Sequence, residues 1–137
     1  MKILIAIWEL PQMILACILL VFLKKKITGR KIYKRAKVFY VKGFYGGISL
    51  GRYIILNDRY TGNESSLKHE YGHTIQSMYL GWLYLAVVGI PSLARSVIWR
   101  LFKLNGLRYY KGYPENWANR LGHGKKDRAA RKLPDSP

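Results

Sequence analysis

The chain is poor in three chemistries. Its 137 residues include one cysteine, three histidines and seven acidic residues. A lone Cys17 excludes an intrachain disulfide and any cysteine-rich metal site. No acidic residue stands between Glu9 and Asp58. Against the seven acids stand 24 Lys and Arg, a formal net charge of +17. Half of the residues are hydrophobic and 14% are aromatic, which excludes a disordered polycation. The length allows one domain with a modest core. Such a chain prefers anionic partners: lipid head groups, nucleic acid or acidic peptides.

Long apolar runs are few, and the first opens the chain. Ile3 to Leu23 is apolar except around Glu9-Leu10-Pro11-Gln12. Its length is that of a bilayer-crossing helix, so residues 1–24 are expected to be a transmembrane or interfacial anchor. Lys24-Lys25-Lys26 end the run, and eight Lys or Arg fall between residues 24 and 37. The positive-inside rule then places the N-terminus outside and the following domain in the cytoplasm, with anionic lipid bound by the basic flank. No small-x-small site ends the run, which argues against a cleaved signal peptide. Glu9 is expected near the outer head groups.

Val38 to Val41 and Ile48 to Leu56 carry the β-branched and aromatic residues of strands, with Gly43 and Gly46-Gly47 between them. A hairpin or small sheet follows. Asn57 to Asn63 is loop chemistry, and Ser65 or Ser66 is expected to cap the next helix. Met78 to Ala94 is apolar and aromatic but interrupted by Gly81, Gly89 and Pro91. Basic residues flank it on both sides, so an interfacial or re-entrant segment fits better than a second crossing.

Two of the three histidines stand in His69-Glu70-Tyr71-Gly72-His73. At this spacing both imidazoles share one helical face and can bind one ion. Glu70, beside the first histidine, is placed to act on a water. A catalytic zinc site wants a third protein ligand. Between Tyr71 and Lys126 the candidates are Glu115 and His123. Glu115 opens a short helix predicted from Pro114 to a stop at Gly122, with Asn119 on the same face. His123 stands between Gly122 and Gly124, outside that helix, and is the rival ligand.

The pair His-Glu-Tyr-Gly-His and Glu115-Asn116-Trp117-Ala118-Asn119 resembles the gluzincin metallopeptidases, the clan that includes thermolysin. There a second helix carries E-x-x-[SA]-D. The resemblance implies Zn2+ on His69, His73 and Glu115, with Glu70 as general base. Asn119 stands where the family often has Asp and is expected to orient a histidine without adding charge. The wording from Trp8-Glu9-Leu10-Pro11-Gln12 to Leu121 also resembles a group of small bacterial membrane-associated proteins. Tyr109, Tyr110 and Tyr113 are candidate oxyanion partners.

The expected fold is α+β: an N-terminal membrane helix, then a minimal zincin-like domain over 25–124, then a basic flexible tail over 125–137. The domain would hold a short sheet or hairpin, the HExxH helix, an apolar interfacial segment and the Glu115 helix. The expected function is a membrane-associated zinc peptidase acting on peptide or protein substrates near the bacterial cytoplasmic membrane. Two other classes compete: a non-enzymatic polybasic membrane-surface module, and nucleic-acid binding through basic and aromatic residues over Arg30 to Lys42. The apolar N-terminus argues against the last.

Overall fold

The computed structural model describes residues 2–102 and 114–130. Two helices open it, α1 (Lys2–Trp8) and α2 (Leu10–Leu23). Four strands follow: β1 (Ile27–Tyr33), β2 (Ala36–Val41), β3 (Gly47–Leu50) and β4 (Tyr53–Asn57). The long helix α3 (Glu64–Leu80) leads through a 3-10 turn at Gly81–Leu83 and a π-helical turn at Leu85–Gly89 into α4 (Ile90–Leu101). The last described element is α5 (Glu115–Ala130).

The fold is α+β, but the N-terminal run does not form the expected bilayer-crossing helix. Among the described residues no helix is long and apolar enough to cross a membrane. The apolar run breaks at Glu9 into helices of seven and 14 residues. Fourteen residues rise about 21 Å, short of a hydrocarbon core of about 30 Å. The break has a chemical cause. Pro11 has no N–H to give to the carbonyl of Ile7, four residues back. The indole Nε1 of Trp82 donates to that carbonyl instead, at 3.2 Å. Glu9 lies fully buried rather than at a head-group surface.

The sheet has the order β1-β2-β4-β3. β2 pairs antiparallel with β1 and parallel with β4, while β3 pairs antiparallel with β4. The Ile48 to Leu56 stretch is therefore two strands, β3 and β4, turning at Gly51-Arg52. Alternation along β2 and β4 sends Ala36, Val38, Tyr40, Ile54 and Leu56 to one face. They pack there against Leu67 and Tyr71 of α3 to form the core. The tip of the β1–β2 hairpin holds Lys34 in the left-handed region (φ 53°). Arg35, next to it, points back into the protein.

α3 is capped by Asn63, two or three residues before the serines expected for that role: its side-chain oxygen accepts from the Ser66 N–H at 3.0 Å. α5 packs extensively along α3. Two glycines allow the approach. A Cβ on Gly72 would overlap the carbonyl of Ala118, and one on Gly122 would overlap the carbonyl of Lys68. Gly122 is thus a packing glycine inside α5 and not its stop. Helical backbone runs on to Ala130, into the segment expected to be a flexible tail.

Candidate metal centre

α3 carries His69, Glu70 and His73, and the start of α5 carries Glu115. Because the two helices touch through Gly72 and Ala118, the histidines of one face the carboxylate of the other. Glu115 Oε2 lies 2.8 Å from His69 Nε2 and 3.1 Å from His73 Nε2. All three residues are buried. Their ligand atoms lie within 4.8 Å of one another, so the group can hold a metal ion. The donor set, two imidazole nitrogens and one carboxylate oxygen, suits a divalent transition metal with bonds of about 2 Å.

The outer nitrogens of both rings are also engaged. His69 Nδ1 meets Asn119 Oδ1 at 2.8 Å, as expected of Asn119. His73 Nδ1 meets Gln76 Oε1 at 2.7 Å. With an amide oxygen accepting, each Nδ1 bears a proton, and the Nε2 proton that meets Glu115 is the one a bound metal would displace. Gln76 also donates to the carbonyl of Pro114 at 3.2 Å, tying α3 to the residue before Glu115. The second carboxylate oxygen of Glu115 accepts from the hydroxyl of Ser92 on α4.

The electrostatics follow from this packing. Burial alone would raise the Glu115 carboxyl, but hydrogen bonds from His69 and His73 outweigh it and hold it well below the usual range. Burial pulls His69 down, while the Glu115 hydrogen bond and the Glu70 charge push harder, so it ends above its ordinary value. The carboxylate is thus ionised across the physiological range, the state a metal ligand requires.

Glu70 stands apart from the triad. Its Oε2 accepts from Ser49 Oγ at 2.6 Å, and the same hydroxyl lies 2.9 Å from the Glu70 backbone carbonyl. Gly47 also lies against this carboxylate, with no room for a Cβ. Tyr84 donates to the carbonyl of Ser49 at 2.9 Å. Burial raises the Tyr84 hydroxyl well above its ordinary value, and the charges of Glu70, Glu115 and Glu9 add to that. It stays a proton donor.

The structure brings His69, His73 and Glu115 together, with Asn119 against His69. His123, the rival ligand, lies one turn beyond Asn119, with Nδ1 3.2 Å from the Asn119 carbonyl, and is not in the metal-ligand group. Tyr109, Tyr110 and Tyr113 lie outside the described residues. Gln76, Ser49, Tyr84 and Ser92 were not anticipated. Gln76 follows His73 by three positions on one helix face, a spacing that could have revealed it. Nothing in the sequence ties Ser49 or Ser92 to residues 21 and 23 positions away. No family model, curated protein or solved structure matches the chain.

Proposed function

We propose that the chain is a zinc-dependent peptidase of the gluzincin type, with His69, His73 and Glu115 as ligands and Glu70 as general base. One observation carries the reading: two imidazoles and one carboxylate converge on a single point, while the neighbouring Glu70 is held by Ser49 rather than by the triad. A hydrolase needs that division between ligands and base. Zinc, when bound, supplies Lewis acidity to the scissile carbonyl and lowers the pKa of water to about 7.

The remaining steps belong to the protein. Glu70 accepts the proton of the attacking water and passes it to the leaving amine. Ser49 keeps the carboxylate aimed by donating to one oxygen, which leaves the other for the proton. Asn119 and Gln76 hold the rings in the tautomer that exposes Nε2. Beside Glu70 runs β3, an edge strand of the sheet. Extended backbone there suits an extended peptide added as a further strand.

A second reading has an observation of its own. The triad is buried, and Ser92 occupies the free oxygen of Glu115. That closure also suits a structural metal in a non-enzymatic module.

Elemental analysis and peptide cleavage by the purified chain decide between them. The peptidase reading expects about one zinc per chain, lost in Glu115→Ala. Glu70→Gln is expected to keep zinc and lose activity by about 10²–10⁴-fold. Zinc with no cleavage of any peptide in a broad fluorogenic library would establish the structural reading. Normal zinc in Glu115→Ala removes the site as drawn, and iron in place of zinc points to an oxygenase-type triad.

A further inference from the structure

The helices around the metal centre are built inside out. Every exposed residue between Ile3 and Leu23 is apolar or is Cys17, whereas Glu9 and Gln12 are fully buried. Gln12 turns inward to donate to the carbonyl of Gly81 and lies 3.4 Å from Ser77 Oγ. The same inversion recurs from Trp82 to Phe102. Of twelve exposed residues there, eleven are apolar and the other is Arg100. Leu83, Val87, Ile90, Leu93, Val97 and Leu101 follow one another at three- or four-residue steps, one stripe of a helical surface. Ser92, Arg95 and Ser96 are the less exposed positions between them. A helix facing water has the opposite arrangement.

The two stretches adjoin. Trp8 of α1 stacks on Trp82, with ring centroids 6.4 Å apart. Between them lies an apolar groove of about 410 Å³, lined by Leu4, Ile5, Ile7, Trp8 and Trp82. Phe22, Leu101 and Leu93 are 80%, 73% and 65% exposed, far beyond the scattered apolar residues of an ordinary surface. Exposed Lys24, Lys25 and Lys26 stand at the end of α2, and Arg100 near the end of α4.

We infer that α1, α2 and the 82–102 stripe form one face that lies in the plane of a membrane, sunk into a single leaflet rich in anionic lipid. The apolar side chains meet acyl chains, and the lysines and Arg100 meet head groups. Charge selects this occupant over a second copy of the chain, because two faces of chains at +17 repel each other. The inference is independent of the peptidase reading, since no metal ligand or base enters it.

The test uses the full chain with vesicles of phosphatidylcholine, with and without phosphatidylglycerol. Expected are co-flotation with the anionic vesicles that persists at high salt, and tryptophan quenching by brominated acyl chains. A spin label on Cys17, the sole thiol, is expected at shallow depth in the leaflet. Leu93→Asp with Val97→Asp, both at exposed positions, is expected to leave the circular dichroism unchanged and weaken vesicle binding by about tenfold or more. Should that variant unfold, the wild-type quenching and label depth decide alone. Full release at high salt reduces the contact to basic residues and overturns the inference. So does a detergent-free monomer that ignores vesicles, a stable dimer that shields Cys17, or a Cys17 label at the bilayer midplane.

Discussion

At the scale of single residues, the candidate centre is held by neutral groups. Asn119 and Gln76 present amide oxygens to His69 and His73 where a carboxylate would add charge. Gln76 does two things, since its other end donates to the Pro114 carbonyl just before Glu115. The two roles separate by substitution. Gln76→Glu keeps an acceptor for His73 and gives up the donor to Pro114, whereas Gln76→Leu loses both. If Gln76 acts on the metal through His73, Gln76→Leu lowers zinc affinity by about 10–100-fold. Gln76→Glu then retains or raises it, because a charged acceptor makes the imidazole more basic. Competition against a chelating dye reads both. Equal losses in the two variants would show that the Pro114 tie is the part that matters.

At the scale of elements, the centre exists because α3 and α5 approach at backbone distance. Gly72 and Gly122 are the two positions where any side chain would strike the other helix's carbonyls. Gly72→Ala and Gly122→Ala should each destabilise the chain by about 1–3 kcal/mol through overpacking. They should also weaken zinc binding, since separating the helices draws Glu115 and Asn119 away from the histidines. Thermal unfolding with and without zinc measures both effects, and an unchanged pair of values would refute the contact. This contact also marks where the sequence stops being legible. His69 with His73, and Glu115 with Asn119, could be paired because each pair lies on one helix face at a fixed period; that the two pairs meet was implied only by the gluzincin resemblance. Gly122 reads as a helix stop because a glycine that ends a helix and one that lets two helices touch look alike in one dimension. β1 was hidden for a related reason. Its adjacent Arg30 and Lys31 are both exposed, on opposite faces of this edge strand, so its composition reads as a basic flank rather than a strand.

At the scale of the whole molecule, the Arg35 guanidinium ties the junction of the N-terminal helices to α3. Arg35, delivered by the β1–β2 hairpin, donates from Nη2 to Glu9 Oε1 and to the carbonyl of Thr74, each at 2.8 Å. Thr74 directly follows His73. Arg52 approaches the other oxygen of Glu9 at 3.8 Å. An apolar run interrupted by one acid reads from sequence as a bilayer anchor with a misplaced charge. The partner that explains the acid is 26 residues away and becomes its neighbour only once the sheet has formed. Glu9→Ala strips Arg35 of its counter-charge while the Thr74 carbonyl remains. The expected cost is about 2–3 kcal/mol, below the about 3–5 of a fully sequestered pair, because the Arg35 side chain keeps some contact with water. Urea unfolding of Glu9→Ala, Arg35→Leu and the double variant gives the coupling directly. If the pair anchors α1 and α2 to the core, the double variant recovers much of what Glu9→Ala loses, since no buried charge is left without a partner. A double variant as unstable as the sum of the singles would show that the two side chains act separately, and that the N-terminal helices are held by their apolar contacts and Gln12 instead.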